Sequence, residues 1–467
     1  MSAEYQTPAA NRWLFVFFLA LLVWAPIPLG SNRPWAWAIL EIWVFVLAIW
    51  WLLAYARGKT HLSPALKAAW PALLCSALWL AYVWLQLLPL PMELLKLLSP
   101  EAARWHADAA WPVAATTAPL TLDRFGTLDG ALKSAAYVAF FALSLALLDR
   151  HQRIAIAAYT LVISGFGQAM YGGLASLSES GAAAHGSFVN RNHFAAYLVM
   201  CLSVGLGLLV SELTGDVAQS WKQFFRNIVA WILSPRMILR LALVVMVIAL
   251  VLTHSRGGNF SFFISMLIAG SIGLLLAKRA SRSMMVLIAS LIVIDIFIVG
   301  AYFGVQNVLD RIEQTKIETE DRGDVALEAV AMWKDYPVFG VGLGAFRTVF
   351  PQYPKQDHGK LFTHAHNDYL EFACENGIVG LALLAWLALS SLLSALRAQI
   401  TRRDPLMRGI SFGALMSMIA MGMHSAADFN LQIPANALTF MLILAFAWIS
   451  LYHQYPHGSR TTTEDLN

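Results

Sequence analysis

The sequence predicts an all-α polytopic membrane protein of about twelve transmembrane helices, and three observations carry that reading. The chain is 58% hydrophobic and 13% charged, with a mean hydropathy of +0.61. Apolar runs of 17 to 21 residues recur along it, each long enough to cross roughly 30 Å of hydrocarbon. Basic residues gather on alternate connections between those runs. A net charge of +4 without a basic patch gives nucleic acid no electrostatic footprint. Cys75, Cys201 and Cys374 have neither disulfide nor thiolate-metal spacing.

Spans are expected near 13–29, 35–55, 68–88, 131–148, 154–172, 193–212, 237–253, 259–277, 284–304, 378–396, 407–425 and 435–453. The first has only Arg12 before it and another span directly after, so it reads as an uncleaved anchor. With the amino terminus in the cytoplasm, Arg57, Lys59, Lys67, Arg150, Arg153, Arg236, Arg240, Lys278, Arg279, Arg402 and Arg403 all fall on inner connections. The short outer connections hold almost nothing basic, and the positive-inside rule then places both termini in the cytoplasm.

The chain reads as a single integral-membrane domain, 1–467, with two long outer segments at about 89–130 and 305–377. The second carries seven Lys/Arg and twelve Asp/Glu, which marks a hydrated extramembrane subdomain. Within it 324–336 has helical spacing (Val325, Leu327, Val330, Met332, Trp333) stopped by Pro337. This loop is expected to fold over the outer mouth of the bundle. On the inner side, 213–236 is expected to lie in the membrane interface as a helix, with Trp221, Phe224, Phe225, Ile228 and Trp231 on one face and Lys222 and Arg226 between them. No internal repeat of the kind that transporters carry is visible.

Eight of the twelve histidines fall outside or at outer span ends: His106, His185, His193, His254, His358, His364, His366 and His424. Arg33, Arg191 and Arg256 also sit in outer turns, where insertion disfavours a cation. A guanidinium fork matches phosphate oxygens, and beside an outer leaflet the simplest phosphate is lipid-linked. Snorkelling to headgroups is the alternative, favoured for Arg33 next to Pro34 and Trp35. For Arg256, Gly257 and Gly258 let the backbone bend around a ligand. The densest constellation runs from Thr363 through His364, His366, Asn367, Asp368 and Glu371 to Glu375-Asn376-Gly377-Ile378-Val379-Gly380. Histidines two apart point to different faces of a helix and no third ligand stands at fixed spacing, so no metal is expected. A neutral imidazole, with an ordinary pKa of about 6.5, suits a proton acceptor, the alternative being a helix cap.

Three further features are weaker. Gly340-Val341-Gly342-Leu343-Gly344 lacks the strand and helix of a nucleotide loop and reads as a turn. Asp295 in the ninth span calls for a partner inside the bundle. His424 through Pro434 closes the outer end of the last two spans, either lining the same cavity or satisfying a bent helix end.

These residues resemble the O-antigen ligase and O-antigen polymerase superfamily of integral-membrane glycosyltransferases. The ligase signature, His followed by Asn, Ser or Gln, nine residues and Gly-x-x-Gly, is reproduced by His366-Asn367 and Gly377-Ile378-Val379-Gly380. Ser255-Arg256-Gly257 and Gly186 through Phe194 are similar to the family as well, and the likeness covers roughly 130–450. The resemblance implies a GT-C-like fold in the bacterial inner membrane with a periplasmic active site. It implies His366 as the catalytic base, and Arg256, Arg322 and Arg191 as ligands of the donor pyrophosphate. Arg322 precedes Leu327 by five positions where the family has four. His364, Asn367, Glu371, His254, His424 and Asp428 are the candidates for acceptor contact or support of these groups.

The reaction so implied moves a glycan from undecaprenyl pyrophosphate to an acceptor hydroxyl, with inversion and without metal, nucleotide or other cofactor. Its partners are that lipid-linked donor, a glycan or lipid A-core acceptor, and the bilayer; nucleic acid is not one. Polymerase is favoured over ligase because 428–434 is similar to exopolysaccharide-type members. A lipid-glycan transporter fits less well, since the charged residues cluster at the outer mouth rather than at the midplane. A one-step displacement also requires Arg322, Arg256 and His366 to share one cavity.

Overall fold

The structure, a computed structural model, describes residues 9–112, 115–178, 182–212, 235–276, 323–354 and 362–454. The expected ninth span with Asp295, the interfacial stretch up to residue 234, His358 and Arg322 lie outside the described residues. In chain order the helices are α1 (Ala9–Trp24), α2 (Pro34–Ala56), α3 (Pro64–Ala68), α4 (Trp70–Leu87), α5 (Met92–Leu98), α6 (Pro100–Ala110), α7 (Arg124–Leu147) and α8 (His151–Ser178). There follow α9 (Arg191–Ser211), α10 (Pro235–Leu252), α11 (Arg256–Leu276), α12 (323–335), α13 (Phe346–Val349), α14 (Asp368–Thr401), α15 (Pro405–His424) and α16 (Pro434–Tyr452). Among the described residues nine helices are long and apolar enough to cross a membrane, and the shorter apolar stretches Asn11–Trp24 and Met237–Leu252 occupy two more of the expected spans. The architecture is that of an all-helical polytopic membrane protein.

Helix starts are written locally. Asp123 accepts from the Gly126 N–H at 2.9 Å to cap α7, and Asp404 accepts from Met407 N–H at 2.8 Å with Pro405 opening α15. The centre of the bundle is α9, α15 and α16, buried nearly all round. There a Cβ on Gly207 would lie 2.3 Å from the Gly409 carbonyl oxygen, so α9 and α15 cross at backbone contact. Without a hydrophobic drive between helices in lipid, such close packing of small residues supplies the association.

A second cluster of buried side chains lies apart from the bundle core. It joins Met92, Leu95, Ala102 and Leu120 of the first long segment to Val325, Ala329, Met332 and Phe350 of the second. The short strands Leu90–Pro91 and Thr117–Ala118 pair antiparallel and close the first segment on itself. The two extramembrane segments therefore share one core, and α12 is part of it where helical spacing placed a helix.

One boundary differs from expectation. The tenth apolar span was read from 378, but α14 begins at Asp368, ten residues earlier, and breaks at Gly377 (φ 57°, ψ −166°). The backbone groups freed by the break are met from the glycine-rich turn and from α4. Ile378 N–H donates to Pro337 at 2.9 Å, Val341 N–H to Cys374 at 2.9 Å, and the Tyr82 hydroxyl to Asn376 at 2.7 Å. A Cβ at Gly377 would stand 2.2 Å from the Val338 oxygen, and one at Gly380 would stand 2.3 Å from Asn376 Cβ. The Gly-x-x-Gly signature is thus a packing requirement of the break.

Gly377→Ala should cost at least about 1–3 kcal/mol, because a side chain is forced into the left-handed region as well as against the Val338 carbonyl. Thermal unfolding in detergent would show a lowered Tm. Gly167→Ala, inside α8 where a Cβ meets nothing within 4 Å, is the control and should leave Tm unchanged or slightly raised.

Candidate active site

The first turn of α14 is seated on the connector between α15 and α16. Asn367 caps the helix by accepting from Leu370 N–H at 3.2 Å and donates its amide to Ala426 at 3.1 Å. The Asp368 N–H donates to Ser425 at 2.8 Å, and the Asp368 carboxyl accepts from Leu431 N–H at 3.1 Å. His366, one residue before the cap, takes φ 50°, a conformation uncommon for a side-chain-bearing residue. This turn aims its imidazole at Asp428.

Asp428 is 1% exposed and collects donors from three stretches of chain. His366 Nδ1 lies 3.1 Å from Oδ1, Phe429 N–H donates to Oδ1 at 2.9 Å, and the Asn192 amide donates to Oδ2 at 2.5 Å. His193 Nε2 is 3.9 Å away, too far for a hydrogen bond. Burial alone would raise the Asp428 carboxyl, but the His366 hydrogen bond, the neighbouring imidazoles and the Phe429 amide hold it below the ordinary carboxylate range. An ionised Asp428 accepts only, so it fixes the proton on Nδ1 of His366 and leaves Nε2 with a free lone pair. The His366 side chain is 23% exposed, which leaves that lone pair room to meet a substrate proton.

A second dyad stands beside the first. His364 Nδ1 is 2.7 Å from Glu371 Oε1, and the other Glu371 oxygen accepts Ala365 N–H at 2.9 Å. Burial pulls the His364 imidazole down, but the Glu371 charge and hydrogen bond outweigh it and the net shift is upward. The His364 ring lies flat on Phe429 with centroids 4.0 Å apart, while His366 and His193 meet the same ring edge-on at 5.0 and 4.5 Å. Phe429 therefore spaces three imidazoles around one aromatic ring.

Arg256 opens α11 behind the cap of Ser255, whose hydroxyl accepts from Gly258 N–H at 3.2 Å. Its glycines have a measurable purpose: a Cβ on Gly257 would lie 2.9 Å from His424 Cδ2, and one on Gly258 2.6 Å from Ala195 Cβ. The start of α11 is thereby pressed against the helix end that leads to Asp428. His254, just before it, also takes a positive φ of 53°. Arg191 is the first residue of α9, next to Asn192.

A cavity of about 1100 Å³ opens alongside, walled by α2, α4, α7, α14, α15 and α16. His364, Glu371, His193 and Phe429 line it, whereas His366, Arg256 and Arg191 are not among its lining residues. Its cations are Arg33, Lys133 and Arg347. Lys133 pairs with Asp129 at 2.7 Å and sits 3.7 Å over the Trp37 ring. Among the sequence candidates, His366, Asp428, Asn367, His364 and Glu371 are brought together; His424 and Arg256 adjoin them. Sequence reasoning missed Asn192, Phe429, Lys133 and Arg347. For Lys133 the signal was present, since a lysine inside an apolar span asks for a function.

Residues 241–385 match the family model described as O-Antigen ligase. The match contains Arg256, His366, Gly377 and Gly380, and it supports the ligase and polymerase superfamily read from the motifs, a class of membrane glycan-transfer proteins. No curated protein matches the chain.

The upward shift at His364 gives a pH expectation. The His364–Glu371 pair should stabilise the fold fully below the unfolded imidazole pKa of about 6.5, and that stabilisation should fade as pH rises through the higher folded value. Tm measured against pH for the parent and His364→Gln checks this: the parent's advantage should be largest near pH 5.5 and shrink towards pH 9. An advantage that grows with pH would contradict it.

Proposed function

We propose that the protein is an inverting membrane glycosyltransferase that moves a glycan from undecaprenyl pyrophosphate to an acceptor hydroxyl at the outer face of the bacterial inner membrane. The observation that carries this reading is the buried Asp428 bonded to His366 at the seated end of α14, His366 lying in the segment 241–385 that matches the O-antigen ligase family model. The acceptor hydroxyl attacks the anomeric carbon, His366 Nε2 takes its proton, the bond from that carbon to the phosphate oxygen breaks, and pyrophosphate leaves with the bonding pair. Arg256, with Arg191 and Arg322, neutralises the charge that grows on the leaving group. The donor bond is already activated, so neither ATP nor a metal enters the step.

Polymerisation, with a second lipid-linked glycan as acceptor, is favoured, because the Asp428–Pro434 stretch is similar to exopolysaccharide-type members. Joining to lipid A-core is the alternative. The lipid-linked species that accumulates when the protein is removed separates them, a single repeat unit meaning polymerase and a finished polymer meaning ligase.

His366→Ala should lower transfer by a factor on the order of 10² to 10⁴ while the protein still inserts, since a proton acceptor is lost but Asp428 keeps its Asn192 and Phe429 donors. His364→Ala should cost less. Arg256→Lys should fail to recover what Arg256→Ala loses, because an ammonium does not reproduce a bidentate fork on phosphate. Turnover should survive EDTA and the absence of nucleotide. Near-normal transfer by purified His366→Ala, or activity lost to EDTA and restored by one divalent ion, would overturn the reading.

A further inference from the structure

The 1100 Å³ cavity is larger than most small-molecule sites and is strongly divided along its length. At the motif end its wall carries Arg33, Lys133, Arg347 and His364. Deeper, it is walled by Leu381, Leu384, Ala388 and Leu392 of α14 facing Phe440 and Leu444 of α16. Positions 381, 384, 388 and 392 recur at helical spacing and form one stripe roughly 16 Å long at 1.5 Å per residue. That is about half of a 30 Å hydrocarbon core. Leu389, also on this wall, is 57% exposed, so the slot is open at its side. A soluble sugar has no use for such a slot, whereas a prenyl or acyl chain fills it from the bilayer.

The cavity wall holds three cations, Arg33, Lys133 and Arg347, and four carboxylates, Asp129, Asp368, Glu371 and Glu375, of which only Asp129 is accessible. Glu371, Asp368 and Glu375 are each no more than 2% exposed, and each accepts an internal hydrogen bond, from His364 and Ala365, from Leu431 and from Phe346 respectively. Arg33 and Arg347 are exposed, and Lys133 is partly so. Asp129 offsets one of these cations. A phosphate at the mouth would meet the remaining excess, with its chain continuing into the apolar slot.

We propose that this cavity binds the acceptor of the transfer, and that the acceptor is a phosphate-headed lipid whose phosphate is held by Lys133, Arg347 and Arg33 and whose chain lies along α14. The proposal rests on the transferase reading, in which Arg256 serves the donor. The cavity wall includes His364, two residues from the base, but neither Arg256 nor Arg191, so a lipid seated here offers its glycan towards His366 without occupying the donor's cations.

Two measurements on the full chain in nanodiscs test it. In two-substrate kinetics with the undecaprenyl pyrophosphate-linked glycan as donor and, in separate arms, a phosphonate analogue of that lipid-linked glycan that can accept but not donate, or lipid A-core, as acceptor, the Lys133→Gln/Arg347→Gln pair and Ala388→Trp should each raise acceptor KM at least tenfold. Donor KM should stay within twofold, and Lys133→Arg should retain most of the parent's acceptor KM. The arm that shows the effect identifies the acceptor lipid. A rise in donor KM instead would make this the donor's slot, and no change in either would empty the cavity of any role; both overturn the proposal. Independently, in an Arg256→Ala background that removes the donor's cation, native mass spectrometry should show undecaprenyl phosphate or lipid A binding at least tenfold more tightly than undecaprenol, with the difference lost when Lys133→Gln/Arg347→Gln is added. Equal binding of undecaprenol would overturn the phosphate site. A parent that binds these lipids but transfers nothing would refute the transferase reading and leave the lipid site standing.

Discussion

A carboxylate that is 1% exposed at the end of a membrane bundle has to be met by hydrogen-bond donors, and at Asp428 they arrive from segments far apart in sequence. Asn192 comes from the start of α9 and His366 from the turn before α14, while Asp428 itself sits between α15 and α16. Because each donor is held by its own helix end, the carboxylate sets the relative positions of three spans as well as the tautomer of one imidazole. Breaking the node would leave an uncompensated buried charge, an arrangement that costs several kcal/mol. The same group therefore organises the bundle end and orients the His366 imidazole.

The break at Gly377 serves the same end from the other side. It lets the first turns of α14, with Asp368, Glu371 and Glu375 facing protein, depart from the line of the membrane-crossing part of the helix. The freed backbone groups are taken up by the turn around Gly340 and by Tyr82 and Gln86 of α4. Those contacts tie the motif to α4 and, through Val341 and Phe346, to the core shared by the two extramembrane segments. Movement of that layer relative to the bundle would be felt at His366 and the helix that follows it.

The spans that fall among the described residues were legible because membrane-crossing helices advertise themselves by long apolar runs between charges. The start of α14 was not, because its ten leading residues are shielded by protein rather than lipid, and so carry carboxylates that a hydropathy reading assigns to a loop. His366 and Asn367 were legible from their spacing to Gly377 and Gly380. The reason for that spacing, a capped helix broken nine residues later, appears only in three dimensions. Asp428 was visible as a polar residue in a closing turn, but its pairing with His366, 62 positions away, depends on how α14 and α15 meet. The shared core of 92–120 and 325–350 was likewise beyond local patterning, since neither segment shows a complete apolar face by itself.

The central claim, that His366 and Asp428 act as one unit, is tested most directly by a double-mutant cycle in glycan transfer, with kcat/KM measured for the parent, Asp428→Asn, His366→Ala and the combined variant. Residues that work as a unit are strongly non-additive. The predicted result is that Asp428→Asn alone lowers kcat/KM by a factor on the order of 10² or more, and that adding it to His366→Ala causes no further loss. Losses that multiply in the combined variant would show that Asp428 acts independently of the histidine, and would contradict the account.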